Sequence, residues 1–469
     1  MTVEFVEQDV STPDLGNHRA REFRGTYYPT DIEEVRQHVM LAARAGTPIY
    51  PLSTGRNWGM GSRSPVVDGC AILDLSRMTT IRTLDLDQGY AVVEPGVTQR
   101  QLTELLAETP WMLNVTAGCA DASIVGNTLE RGDGTIRARL EDLLGLEVVL
   151  GTGEVITTGG LDRNGVRPGA VAGPDLTKAF VQSNLGVVTA MAIALVPRPS
   201  AITLVHTTFD RSALDEAIDI TIRLCRTRVA THGMLRLKEL FVVPETARAA
   251  VPEGADTSTM TIEVPLLGSH QAVRLAEREI HDMFSSAAGL VSYRSLDTAD
   301  TPADDPLYPR TLFARGIPSC ANVHRRLDVD SCSQVDESPA GWLMFLPVVP
   351  LGQTSWHKAV ELFDSEAQRH SAAAMLELNV ISQHSANMVA QIPFRREPGA
   401  VERAHALRAA ARRSFLRAGF PPYRSNIDHA PSELAARSAA YRDGPLTELK
   451  RLFDPAGIIA PGRYLAADR

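Results

Sequence analysis

The sequence predicts an α+β fold built from two parts. Its 469 residues exceed the usual size of one domain, and the first 200 read mainly as short strands joined by turns. From residue 201 to residue 430, amphipathic helices alternate with strand patterns, which is typical of an antiparallel sheet with helices on one face. A Pro-Arg-Pro break at 197–199 separates the two patterns.

The first part opens with a helix predicted over residues 31–46. Thr30 can cap this helix, apolar residues recur at helical spacing along it, and Gly46 ends it. A shorter helix is predicted over 99–110. A Gly-Thr-Gly turn within 146–158 predicts a hairpin, so the pattern is not the strand–helix alternation of a doubly wound sheet. Further strands are predicted at 47–53, 71–76, 90–95 and 187–196.

The second part alternates helices and strands of similar length. Amphipathic helices are predicted at 212–225, 270–284, 357–370 and 399–419. Strands are predicted between them at 233–243, 260–267, 340–350 and 374–382. The closing residues are apolar enough to pack on the rest of the chain.

The composition excludes several classes of function. The chain carries 47 Lys and Arg against 56 Asp and Glu, a net charge of −9, which disfavours nucleic acid and anionic membranes as partners. No membrane-spanning apolar run and no signal peptide are seen, so we expect a cytoplasmic protein. An odd number of cysteines without a CxxC pair predicts reduced thiols and no metal site: Cys70, Cys119, Cys225, Cys320 and Cys332.

The strongest local signal is a glycine-rich loop between Pro51 and Pro65. Its glycines alternate with hydroxyl and amide side chains, and such a loop can gather backbone N–H groups around a diphosphate. It has neither the Walker spacing nor the GxGxxG spacing. Taken alone, the loop fits an ordinary surface turn better than a diphosphate site.

Four further segments accompany this loop in a fixed order. They are GYAVVEPGVT at 89–98, TAGCADASIVGNTLERGDGT at 116–135, SNLGVVTAMAIALVPRP at 183–199, and a C-terminal stretch with GFPPYRSN and LFDPAGIIAPGRY. Together with the loop they resemble the vanillyl-alcohol oxidase and p-cresol methylhydroxylase family of FAD-linked oxidoreductases. The resemblance implies a PCMH-type FAD-binding domain over 1–200, a cap domain over 201–430, and a segment over 431–469 that returns to the FAD domain.

The resemblance also implies which residues hold the FAD. The loop would cradle the diphosphate, and the later segments would line the rest of the cofactor. The implied residues are Ser53, Thr54, Gly55, Arg56, Asn57, Trp58, Gly61, Ser62, Pro95, Gly96, Gly118, Ile124, Gly126, Asn127, Gly186, Val187, Val188 and Arg463.

Covalent attachment of the FAD is not expected. Asn57 and Trp58 stand where some relatives carry a linking histidine, and Cys119 is displaced from the position of the cysteinyl link. His324 is the candidate for a link from the cap.

The candidate catalytic groups also follow from the resemblance. Tyr423 and Arg424 match the pair that holds the substrate oxygen, and Arg463 matches an arginine near the flavin ring. Glu130 stands where phenol-oxidising members carry an aspartate. Glu377 lies on a predicted cap strand, at a position where a member of the family carries a related glutamate. Met60 replaces a tyrosine of the phenol-oxidising members, so the substrate pocket loses one donor.

These residues predict an FAD-dependent oxidase or dehydrogenase that moves a hydride from a small substrate to flavin N5. A para-substituted phenol is favoured by the pair Tyr423–Arg424. A hydroxy acid or other alcohol is the alternative, because Arg424 could equally bind a carboxylate. A third alternative is a flavin-binding subunit without turnover. The electron acceptor is left open between dioxygen and an external protein or quinone, and a homodimer is left open as the assembly.

Overall fold

The structure is a computed structural model that describes residues 5–6, 14–116, 118–162, 165–167, 172–227, 234–251, 255–430 and 444–465. Strands dominate the first 200 residues, and long helices appear beyond them. The predicted α+β class is confirmed.

The first part contains thirteen strands and three helices within the described residues. Its strands are β1 (Phe5–Val6), β2 (Phe23–Tyr27), β3 (Ile49–Leu52), β4 (Cys70–Asp74), β5 (Ile81–Asp85), β6 (Tyr90–Val93), β7 (Trp111–Met112), β8 (Leu143–Leu150), β9 (Val155–Gly159), β10 (Leu161–Asp162), β11 (Gly165–Val166), β12 (Gly186–Ala194) and β13 (Val196–Pro197). Its helices are α1 (Ile32–Ala45), α2 (Gln99–Leu105) and α3 (Ile124–Leu129).

Two main sheets organise this part. Strands β5-β6-β12-β8-β9 form an antiparallel sheet, and β8 and β9 are the predicted hairpin. In the smaller sheet, ordered β1-β2-β4-β3, both β2 and β3 run parallel to β4. The hairpin-rich sequence pattern did not indicate these parallel pairs, which arise because α1 carries the chain over before β3. They stay confined to this small sheet, so the part is not doubly wound.

The N-cap of α1 lies one residue later in the chain than the cap predicted from the sequence. The side chain of Asp31 accepts a hydrogen bond from the backbone N–H of Glu34 and is the N-cap. Thr30 instead donates its N–H and hydroxyl to the Glu34 carboxylate. Gly46 adopts φ = 60° and ends the helix, as predicted.

The second part is built on one antiparallel sheet of eight strands. The strands are β14 (Ala201–Asp210), β15 (Arg236–Val242), β16 (Thr259–Gly268), β17 (Leu290–Asp297), β18 (Ala340–Phe345), β19 (Val348–Pro350), β20 (Ala374–Val380) and β21 (Ser385–Arg395). The main path is β17-β14-β16-β15-β20-β21-β18, and β19 pairs with β21. The helices are α4 (Leu214–Thr227), α5 (His270–Ser285), α6 (Tyr308–Ala314), α7 (Ala321–Leu327), α8 (Gln353–His370) and α9 (Pro398–Arg417).

The two faces of the cap sheet differ in chemistry. On one face, Leu376, Leu378 and their neighbours pack with α4, α5, α8 and α9 in the largest hydrophobic core of the molecule. Because side chains alternate along a strand, Glu377 and Asn379 lie on the opposite face. That face meets the first part, since Asn379 Nδ2 donates to Asp133 Oδ2 at 3.1 Å.

The last helix, α10 (Pro445–Phe453), and the residues after it pack on the first part. Lys450 Nζ is buried, donates to the Asn184 carbonyl, and pairs with Asp454 at 2.6 Å. Ile459 forms a parallel bridge to Ile49 of β3. The C-terminal segment therefore lies against the strand that leads into the glycine-rich loop. Within the described residues, no helix combines the length and apolarity needed to cross a bilayer.

Candidate active site

The glycine-rich loop follows β3 and has a backbone suited to an anion. Gly55 and Gly59 adopt φ of 70° and 73°, in the left-handed region that favours glycine. No backbone N–H from residue 53 to residue 59 donates to another described residue. Such a run of unused donors is the chemistry that a diphosphate would satisfy.

The loop is fixed from two sides. The Gly59 carbonyl accepts from the backbone N–H of Met344 in β18, and the Met60 carbonyl accepts from that of Ile427. A Cβ at Gly61 would overlap the side chain of Ile427. Gly61 is therefore needed for packing against the chain after residue 423, rather than for leaving space above the loop. The Ser62 hydroxyl donates to Asp336 of the cap at 2.6 Å.

The N-terminus of α3 lies against the same loop. The backbone N–H of Ser123 donates to Thr54 Oγ1 at 3.1 Å, and Ser123 Oγ donates to the Pro95 carbonyl at 2.6 Å. A Cβ at Gly126 would overlap Ser53 Oγ, so only glycine permits this approach. The structure thus brings together the loop, residue 95 and α3, as the sequence predicts.

The other residues expected to line the cofactor fall into two groups. Gly96 and Gly186 lie where a Cβ would strike Ser76 and Val148, respectively, so both allow close packing. The side chains of Ile124, Val187 and Val188 are buried in hydrophobic clusters, so these residues can meet a cofactor only through their backbone. Gly118, with φ = 109°, faces open space.

Several buried polar atoms near the loop have no hydrogen-bond partner among the described residues. They are Arg56 Nε, Trp58 Nε1, Asn127 Oδ1 and Arg424 Nε. Buried polar groups are normally hydrogen-bonded, and leaving one unpaired costs about 1–3 kcal/mol. Because these atoms gather around the loop and α3, they indicate a site for a polar ligand.

A charged cluster joins α3 to the C-terminal segment. Glu130, the C-cap of α3, accepts a hydrogen bond from Arg463 Nη2 at 3.0 Å and another from the hydroxyl of Tyr464. Arg424 Nε lies 3.6 Å from the second carboxylate oxygen of Glu130. Within this cluster, two guanidinium groups face one carboxylate, so positive charge is in excess.

The cluster fixes the charge state of its members. Burial alone would raise the pKa of Glu130, but the charges of Arg463 and Arg424 and the Tyr464 hydrogen bond hold that pKa below its ordinary value. Burial likewise opposes the charge of Arg463, yet the Glu130 carboxylate raises the pKa of Arg463 well above normal. Glu130 is therefore ionised at neutral pH and can accept a proton but not donate one.

Tyr423 and Arg424 lie at the edge of this cluster. Arg424 Nη2 donates to Asn57 Oδ1 of the loop at 2.8 Å, which joins the predicted oxygen-binding arginine to the predicted cofactor loop. The Tyr423 hydroxyl donates to the backbone carbonyl of Arg131 at 2.8 Å. Burial raises the pKa of Tyr423 above its ordinary value, so its hydroxyl stays protonated.

The cap contributes an apolar wall and one carboxylate. Met60 is buried against Leu346, Val389 and Tyr423, so its side chain offers no hydrogen-bond donor here. Glu377 is paired with Val389 across β20 and β21, on the face that meets the first part. Met60, Tyr423 and Glu377 therefore share one region, through Val389.

A second set of polar residues in this region was missed by the sequence analysis. Asn379 and Asn387 each donate to Asp133 Oδ2, at 3.1 and 3.0 Å, and Asp133 Oδ1 is buried without a partner in the described chain. The available signal was one asparagine in each of two largely apolar strands. Asp133 follows Glu130 by three residues and is a further carboxylate at the boundary of the two parts.

The candidate for a covalent link lies in an unexpected environment. His324 Nε2 is 3.4 Å from Cys332 Sγ, and Cys332 lies beside Cys119 and Cys320. The cysteines are reduced, as predicted, but these three lie in contact with one another. Their sequence separations conceal a contact that only the docking of the cap on the first part creates.

Comparisons with known proteins agree with this geometry. Residues 24–159 match a family model described as an FAD binding domain. The chain is 29% identical to the 1'-carboxy-chondrochloren decarboxylase of Chondromyces crocatus, over 93% of this chain and 89% of that protein. It is 26% identical to the 4-cresol dehydrogenase (hydroxylating) flavoprotein subunit of Pseudomonas putida, over 92% and 86%. The crystal structure of p-cresol methylhydroxylase with substrate bound superposes with a TM-score of 0.84, at 24% identity, over 96% of this chain and 90% of that chain.

These findings confirm three predictions. The structural likeness confirms the fold, and the family model together with the cresol relative confirms FAD as the cofactor of an FAD-dependent oxidoreductase. The unused loop amides and the unpaired polar atoms of Arg56, Trp58 and Asn127 fit a ligand with a diphosphate and a polar ring.

Proposed function

Since the chain belongs to the p-cresol methylhydroxylase-type family of FAD-linked oxidoreductases, we propose that it takes a hydride from a carbon conjugated with the oxygen of a small para-substituted phenol. The observation that carries this proposal is the excess positive charge of the cluster formed by Glu130, Arg424 and Arg463. FAD, when bound, supplies the hydride acceptor.

Arg424 is the group proposed to hold the substrate oxygen. Its Nε is buried and has no hydrogen-bond partner among the described residues, so a donor is available. Hydride loss is easier from a phenolate than from a phenol, and a fixed guanidinium lowers the pKa of a bound phenol. The hydrogen bond to Asn57 and the charge of Glu130 preorganise this guanidinium, so it need not reorganise during the reaction.

Tyr423 is proposed as the second oxygen-binding group. Its hydroxyl is protonated and now donates to a backbone carbonyl, so binding a substrate oxygen requires either exchanging that partner or accepting a hydrogen bond from the phenol hydroxyl. Met60 offers no donor, so Arg424 would carry a larger share of the stabilisation than in relatives with three donors.

Glu130 and Glu377 are proposed to have different tasks. Glu130 is held ionised by two arginines, which suits a group that positions Arg424 and Arg463 through its charge. Glu377 approaches from the cap, on the same side as Val389 and Met60, and is proposed as the acid–base candidate at the substrate. Arg463 is proposed to act beside the flavin ring, where the C-terminal segment meets Glu130.

Two alternatives remain distinguishable from the phenol proposal. Arg424 could bind a carboxylate of a hydroxy acid, and the relative from Chondromyces crocatus, whose name records the loss of a carboxyl group, favours a substrate with such a group. The Pseudomonas relative is a flavoprotein subunit, which leaves a non-catalytic subunit as the other alternative. Retention of Glu130, Arg424 and Arg463 as one cluster argues for turnover.

The test is an anaerobic screen of the purified yellow protein. Phenols, hydroxy acids and simple alcohols are added separately while the flavin absorbance is recorded. Bleaching by para-substituted phenols supports the proposal, bleaching only by hydroxy acids supports the first alternative, and bleaching by none supports a non-catalytic subunit. Rapid recovery of colour in air identifies dioxygen as the acceptor, whereas recovery only with an added dye or quinone identifies a dehydrogenase.

A further inference from the structure

Three buried cysteines meet where the cap contacts the first part of the chain. The sulfur atoms lie 3.6 Å apart for Cys119 and Cys320, 3.5 Å for Cys119 and Cys332, and 3.2 Å for Cys320 and Cys332. All three are reduced, and each is about 95% buried. No disulfide joins them, yet each sulfur lies within hydrogen-bonding reach of the other two.

A carboxylate completes this group. Asp121 Oδ2 lies 3.6 Å from Cys320 Sγ, and one oxygen of Asp121 and the three sulfur atoms all lie within 4.8 Å of one another. In a tetrahedral zinc site with Zn–S bonds of about 2.3 Å, ligand sulfurs are about 3.8 Å apart. The observed separations are close to that spacing, so a small adjustment of side chains would form the tetrahedron.

The charges around the group suit thiolates. Arg100 Nε donates to Asp121 Oδ1 at 2.8 Å, and Arg100 Nη2 approaches Cys320 Sγ at 3.8 Å. Arg56 Nη1 donates to the carbonyl of Cys332 at 2.6 Å. Two guanidinium groups therefore lie beside the cysteines.

From this arrangement we propose that Cys119, Cys320 and Cys332 bind a zinc ion as thiolates, with Asp121 as the fourth ligand. Thiolates are soft ligands that select zinc over magnesium or calcium, and a site with four protein ligands is structural rather than catalytic. Binding releases the thiol protons to solvent, and no electron transfer is involved.

The site would fasten the two parts of the molecule together beside the cofactor loop. Cys119 and Asp121 come from the first part, whereas Cys320 and Cys332 come from the cap. Trp58 of the glycine-rich loop packs against the cysteines. Zinc would therefore hold the cap against the loop without touching the residues proposed for substrate binding.

Metal content of the intact protein tests this proposal independently of catalysis. The holoprotein, purified after growth with zinc, should contain about one zinc per chain. Cobalt reconstitution should give the intense thiolate-to-cobalt absorption expected of a site with three sulfur ligands. Less than about one tenth of a zinc per chain, before and after anaerobic reconstitution, would overturn the proposal. A disulfide among the three cysteines, found by mass spectrometry after alkylation, would also overturn it.

Variants test the ligand assignment. Cys320→Ala should lose the metal, whereas Cys225→Ala, a buried cysteine of α4 outside the group, should retain it. Asp121→Ala should weaken binding more than His324→Ala, because Asp121 lies with all three sulfur atoms in one group, whereas His324 lies beside Cys332. Equal metal content in Cys320→Ala and Cys225→Ala would contradict the site even if the wild-type protein contains zinc.

Discussion

Arg463 Nη2 lies 3.0 Å from Glu130 Oε1, although the two residues are 333 positions apart in the chain. The contact attaches the C-terminal segment to the end of α3, and Arg424 approaches the other oxygen of the same carboxylate. Both arginines therefore depend on Glu130 for part of their positioning, beside the hydrogen bonds of Arg424 to Asn57 and of Arg463 to the Ser425 carbonyl. This dependence makes the cluster testable through stability as well as through catalysis.

Glu130→Gln should destabilise the protein by roughly 1.5–3 kcal/mol at neutral pH, because two arginines lose their charged partner. The folded-state pKa of Glu130 is lowered, so its contribution is fully present above the unfolded-state pKa of about 4.3 and is lost as the pH falls through the folded-state value. The difference in unfolding free energy between wild type and variant should therefore shrink below about pH 4. Urea denaturation at several pH values measures it, and a difference that grows in acid would contradict the assignment.

Arg424→Ala should reduce the rate of flavin reduction about 10²- to 10³-fold on the true substrate while FAD content is retained. The expected loss follows from removing one preorganised cation at the developing negative charge. Arg413→Ala, which alters an exposed arginine of α9, is the matched control. Stopped-flow reduction of Arg424→Ala within about threefold of the wild-type rate would mean that the substrate oxygen is held elsewhere.

Gly126→Ala should lower FAD content, because its Cβ would overlap Ser53 Oγ and push the loop away from α3. The double variant Gly126→Ala with Ser53→Gly removes the clash and should restore part of the FAD binding. Gly352→Ala is the control, since nothing lies within 4 Å of its Cβ position. Unchanged flavin content in Gly126→Ala would contradict this prediction and would show that FAD binding does not require the contact between the loop and α3.

The FAD is predicted to be bound without a covalent link. After acid precipitation, the yellow colour should therefore appear in the supernatant. His324, the candidate link, lies beside Cys332 in the group of buried cysteines. Colour that stays in the pellet of the wild-type protein, and moves to the supernatant in His324→Ala, would show that this histidine carries the flavin.

The parts of the site that are local in sequence could be predicted from it. The glycine-rich loop, the start of α3 and the pair Tyr423–Arg424 each carry their chemistry within a few residues. The amphipathic helices of the cap were also predictable, because their apolar periodicity reports burial directly. Gly61 was assigned to the correct loop, but its partner Ile427 was not visible, since the reason for glycine there is a distant side chain.

The contacts that depend on docking of the cap could not be predicted from the sequence. Asn379 and Asn387 donate hydrogen bonds to Asp133 across sequence separations of 246 and 254 residues. Nothing in the sequence of either strand indicates which residue will accept these hydrogen bonds. Cys119 and Cys320 are 201 residues apart and belong to no short motif. Such contacts depend on how the two folded parts dock. A single sequence indicates which residues each surface contains, but it does not indicate which surfaces come into contact.

We propose that the protein oxidises a phenol whose oxygen is held as an anion beside Arg424. Anaerobic flavin reduction by a 4-alkylphenol, compared with that by the corresponding methyl ether, tests it most directly, because the ether has the same carbon skeleton but cannot ionise. We expect the phenol to bleach the flavin and the ether to react at least about 100-fold more slowly. Equal rates for the two compounds, or no reaction with any para-substituted phenol while a hydroxy acid bleaches the flavin, would contradict it.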